Sequence, residues 1–125
     1  MTLYFAIRDD DVCYHTDPKI LETIYGNISK KCPISFSCIP YVGGYDIDNY
    51  DKKQWGKYDK AWIKWQTKEV FPIGENKELV KFLKQWCHQN RATLMLHGVN
   101  HDLNEFTKTK EFDTIIKQAK NYLEK

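Results

Sequence analysis

"NKELVKFLKQWCHQNRATLMLHG", Asn76 to Gly98, decides the fold. Leu79, Val80, Leu83, Trp86 and Cys87 recur at helical spacing, which predicts an amphipathic helix with Asn76 as its cap. "ATLML", Ala92 to Leu96, then reads as a short β-strand that ends on His97 and Gly98. A helix that hands its chain straight into an apolar strand is half of a crossover unit in a parallel sheet.

Working outward, the same rhythm repeats. "LYFAI", Leu3 to Ile7, predicts a first strand, buried on both faces and stopped by charge. "HTDPKILETIYGNISKK", 15–31, predicts a helix in which Thr16 or Asp17 caps and Pro18 fills the first turn. Its apolar face is Ile20, Leu21, Ile24 and Tyr25. "PISFSCIPYV", 33–42, is β-rich, with Ile34, Phe36 and Cys38 alternating against Ser35 and Ser37. "EFDTIIKQAKNYLEK", 111–125, predicts a last helix on Phe112, Ile115, Ile116, Ala119, Tyr122 and Leu123. The expected fold class is therefore α/β, with parallel strands and crossover helices.

Residues 42–74 interrupt this rhythm and are expected to be an insertion with its own structure. Within it, Trp55, Tyr58, Trp62 and Trp65 would line one face of a helix, either packing on the domain or stacking on sugar rings. "DIDNYD", Asp46 to Asp51, lacks the glycine and the final glutamate of a calcium loop.

Composition narrows the function classes. A chain of 125 residues with 42% hydrophobic and 14% aromatic content is expected to form one folded domain, 1–125. The net charge is +2, and Arg8 and Arg91 are the only arginines, so no basic stripe points to nucleic acid. The apolar run near Met1 is too short for a signal-peptide core or a membrane span. Cys13, Cys32, Cys38 and Cys87 form no CxxC pair and read as reduced thiols. These features lead us to expect a cytoplasmic protein without a membrane partner.

Chemistry concentrates in two places. "RDDDVC" follows the first expected strand and "HGVNHD" follows the third, so a parallel sheet would bring both to one rim, where such folds collect ligands. Two imidazoles four residues apart and a carboxylate make an open site for a divalent ion, and a second carboxylate can act as base. Gly98 would let the backbone turn between His97 and His101. His101-Asp102 also matches the adjacent pair of HD-type phosphohydrolases, but that fold is all-helical and this pair follows a strand. Cys13 beside the aspartates reads as a buried small hydrophobe or an additional ligand.

On these motifs the chain resembles the NodB-homology polysaccharide deacetylases, carbohydrate esterase family 4, as a divergent member. Arg8-Asp9-Asp10-Asp11-Val12 is similar to the family's Thr-Phe-Asp-Asp-Gly, and His97-Gly98-Val99-Asn100-His101 to its His-(Ser/Thr)-x-x-His. The resemblance implies a distorted (β/α)7 barrel and hydrolysis of acetyl groups from an N- or O-acetylated glycan. It implies Asp10 as general base and Asp11, His97 and His101 as metal ligands, with the pair Asp9 and Asp10 as the alternative register. Zinc is the first expectation for the ion, with cobalt, nickel or manganese as substitutes.

Arg8 and Val12 depart from the family's Thr and Gly. Arg8 offers an ion pair to an aspartate. The Arg-x-Pro, Asp/Trp and Leu-x-His motifs, the last supplying the general acid, are absent, and His15 and His88 lack its context. A full barrel needs roughly 200 residues. The expectation is thus the N-terminal half of such a barrel, and a catalytically incomplete metal- or carbohydrate-binding remnant is the alternative. Its open sheet edge would be covered by a homo-oligomer or a partner chain.

Overall fold

The computed structural model describes residues 2–45, 67–102, 105 and 111–125. Along them run strand β1 (Ile7–Val12), helix α1 (Pro18–Tyr25), a 3-10 turn (Ile28–Lys30), β2 (Ile34–Cys38), β3 (Tyr41–Gly43) and β4 (Val70–Pro72). A second 3-10 turn (Ile73–Glu75), helix α2 (Lys77–His88), β5 (Ala92–Leu96) and α3 (Phe112–Leu123) follow. β1, β2 and β5 form a parallel sheet with β2 in the centre, while β3 and β4 pair antiparallel. The α/β class and the parallel sheet are as expected. Among the described residues this sheet is open and closes no barrel.

Local chemistry sets the helix starts. Asp17 accepts from Lys19 N at 2.8 Å with Pro18 in the first turn, and Asn76 Oδ1 accepts from Leu79 N at 3.0 Å. Each bond satisfies an amide that the helix itself leaves without a partner.

The core lies on one face of the sheet. Ile34, Phe36, Cys38 and Ala92 pack with Leu21 of α1, with Leu79, Leu83 and Trp86 of α2, and with Tyr122 and Leu123 of α3. Among the described residues Trp86 is the largest buried side chain; Phe36 and Phe82 flank it, and the Arg91 guanidinium lies 4.0 Å from its ring centre. Arg91 also donates to Ser29 Oγ and Gly26 O, both at 3.0 Å, tying the end of α1 to the start of β5.

The opposite face of the sheet is largely polar, with Met95 the exception. Arg8, Ser35 and Thr93 stand in register across the three strands, and Ser35 and Thr93 share a hydrogen bond of 3.1 Å. Among the described residues the helices pack on one side of the sheet, which corrects the expectation of a first strand buried on both faces.

The first strand also moves. Its expected span, Leu3 to Ile7, gives way to Ile7–Val12, so the aspartates lie within the strand and not after it. The cause is the partner: β2 begins at Ile34, which pairs with Ile7, so residues 2–6 overhang the ladder. Leu3, Tyr4 and Phe5 are accordingly exposed. In α1, Leu21 is buried, but Ile20 and Ile24 of the expected apolar face are exposed.

The two ends of the 42–74 interruption meet as the β3–β4 hairpin. The aromatic stripe from Trp55 to Trp65 and the acidic stretch Asp46 to Asp51 lie outside the described residues. No helix among the described residues is long and apolar enough to cross a membrane.

Candidate metal centre

A β-bulge organises the site. Asp9 pairs with Phe36 and Val12 with Cys38, so Asp10 and Asp11 together oppose the single residue Ser37. Such an insertion bends the strand and re-aims its side chains. Here it separates three identical residues into three environments.

Asp9 stays on the helix side, hydrogen-bonded to Tyr25. Burial raises its carboxyl above the ordinary range, the Tyr25 bond opposes this, and the neighbouring charges of Asp10 and Asp11 add to the rise. Asp10 turns to the polar face, where Arg8 Nη2 donates to its Oδ2 at 2.9 Å. Partial desolvation pushes its carboxyl up, but hydrogen bonds from Ser37 and Arg8, with the charges of Arg8 and His97, outweigh it. The net effect holds Asp10 below the usual carboxylate range.

Asp11 adopts φ 66°, a left-handed conformation rare outside glycine, and its carboxylate faces the two histidines. There Oδ1 lies 3.1 Å from His97 Nε2 and 3.3 Å from His101 Nε2. The two imidazole rings are 5.0 Å apart. Of the three aspartates, Asp11 is the one whose carboxylate stands beside both histidines.

His97 arrives as the first residue after β5, where its N–H donates to Cys38 O at 2.8 Å and extends the ladder. Gly98 at φ 69° and His101 at φ 65° then fold the chain back so that both rings face Asp11. The hairpin supports this loop. Tyr41 N donates to Val99 O at 3.0 Å, and Tyr45 OH donates to Asn100 O at 2.9 Å. Glu105 Oε1 accepts from Val99 N and Asn100 N.

The donor set fits a cation. Asp11 Oδ1 is inaccessible to solvent and makes no hydrogen bond, although two ring nitrogens stand close by. A carboxylate oxygen and two neutral imidazole nitrogens are all lone-pair donors, so a positive ion between them satisfies all three. Asp11, His97 and His101 can thus hold a metal ion, their ligating atoms lying within 4.8 Å of one another.

Cys13 does not join them. It packs with Ile39 and Val42, and burial pushes its thiol up, against the thiolate that ligation requires. His15 lies against Phe71 with ring centres 5.0 Å apart, and His88 ends α2.

Sequence reasoning singled out Asp11, His97 and His101 but not the residues that support them. Glu105 and Tyr45 carry no recognisable motif. The one available signal for Glu105 was an acidic residue four places after His101. Comparison with family models, with curated proteins and with solved structures finds no match for this chain.

Proposed function

We propose that this chain is a divergent polysaccharide-deacetylase-like hydrolase that removes acetyl groups from an N- or O-acetylated glycan. One observation carries the reading: a carboxylate among two imidazoles, Asp11 with His97 and His101, beside a second carboxylate, Asp10, held in its ionised form. A divalent ion bound by the three supplies a Lewis acid and lowers the pKa of water. Asp10 acts as the general base, ready to take up a proton at neutral pH. Arg8 orients the Asp10 carboxylate through Oδ2. The nitrogen and oxygen donors suit zinc first, with cobalt, nickel or manganese as substitutes.

Among the described residues the outer edges of β1 and β5 are unpaired, and the proposal is completed by a second copy or a partner chain covering them. Sedimentation giving a monomer at high concentration would count against that part. A second reading is metal or glycan binding without turnover. Acetate release from chito-oligosaccharide by zinc-loaded protein separates the two. Turnover abolished in Asp10→Asn supports the hydrolase. Tight metal binding with no acetate from any acetylated glycan supports the remnant.

A further inference from the structure

Glu105 touches the histidine loop at several consecutive points. Its Oε1 accepts from Val99 N and from Asn100 N, the latter at 2.9 Å. Its Oε2 stands 2.6 Å from where a Cβ on Gly98 would sit. Its own N–H donates to Asp102 O at 2.9 Å. Every residue touched lies between the two histidines or directly after them.

This loop needs holding. Gly98 and His101 both occupy the left-handed region, which is unfavourable for a histidine, so the surroundings must impose the conformation. Successive amides directed inward also need acceptors. One carboxylate answers both needs, and it explains why glycine follows His97: any side chain there meets the Glu105 carboxylate as well as the strained φ of 69°.

We propose that Glu105 is a positioning residue that sets the separation of His97 from His101 by fixing the amides between them. It touches no ligand atom and acts through the backbone. The inference rests on the metal reading above. It predicts that what matters is an acceptor at the reach of Oε1, not negative charge near the ion.

Three variants of the full chain separate these, read by cobalt titration with the visible cobalt spectrum, each beside a thermal melt. Glu105→Gln keeps the acceptor and should bind cobalt within about threefold of the unaltered chain, with the same spectrum. Glu105→Asp keeps the charge but loses the reach; it and Glu105→Ala should bind about 10–100-fold more weakly, the scale typical of residues that orient ligands. Their spectra should change too, which a purely structural loss in a chain still folded at the titration temperature would not cause.

Should the alanine variant fail to fold, the Asp and Gln pair decides alone. Asp binding like the unaltered chain, or Gln as weak as Ala or Asp, overturns the assignment. An unaltered chain that takes up no cobalt removes the metal centre, and this inference with it. That failure is distinct from intact binding in every Glu105 variant, which overturns the positioning role only.

Discussion

Asp11 and His101 meet at 3.3 Å, and both hold left-handed backbones, at φ 66° and 65°. Among the described residues only Asn90 shares this conformation without being glycine, and it lies just beyond α2. Strain concentrated on two partners of one contact marks a site whose geometry the surrounding fold imposes.

That strain is measurable without metal. Asp11→Gly and Asp11→Ala both delete the ligand, but only alanine must bear the unfavourable φ. In metal-free protein the glycine variant should be more stable by about 1 kcal/mol, the scale of the left-handed penalty. Urea melts giving equal midpoints would show that Asp11 relaxes when its carboxylate is removed.

Metal should stabilise the fold by mass action. At an ion concentration one hundred times Kd the gain is about 2.7 kcal/mol, or roughly 10 °C in Tm for a domain of this size. His97→Ala with His101→Ala should melt identically with and without zinc.

Asp10 separates chemistry from binding. Asp10→Asn should keep metal affinity and lose acetate release by a factor of about 10² or more, the contribution of a general base. Arg8 helps hold the Asp10 carboxyl down, so Arg8→Ala should raise it. Activity is lost as pH falls through that value, so its acid limb should move to higher pH. An unmoved limb in a pH–rate profile would remove Arg8 from the role.

Tyr45 gives a test at alkaline pH. Burial pushes its phenol up to about 12 from 10.0, with the charges of Cys13, Asp102 and Glu105 adding to the rise and a Gly43 backbone hydrogen bond opposing it. The folded chain keeps the proton that the unfolded chain releases above pH 10. Stability is therefore full below pH 10 and falls toward 12, by about 1.4 kcal/mol per pH unit. Tyr45→Phe loses the bond to Asn100 O and should be about 1 kcal/mol less stable at pH 8. Because it lacks the titration, that gap should close by about pH 11 in paired urea melts.

The sequence by itself determined the α/β order, the helix cap at Asn76 and the pair of histidines, and it narrowed the first cap to Thr16 or Asp17. Each of these is a local matter of hydrogen-bonding side chains or apolar spacing. It misplaced the first strand, because Leu3, Tyr4 and Phe5 look like strand residues but β2 offers them no partner. Only the tertiary structure decided where each aspartate stands. Three identical carboxylates in a row carry no internal distinction, and their different surroundings follow from a bulge that exists only once β1 pairs with β2. The same holds for Glu105 and Tyr45, whose importance lies in the backbone amides and carbonyl they reach across the folded chain. Such contacts are set by where the loop and the hairpin pack together, and residue spacing does not encode them.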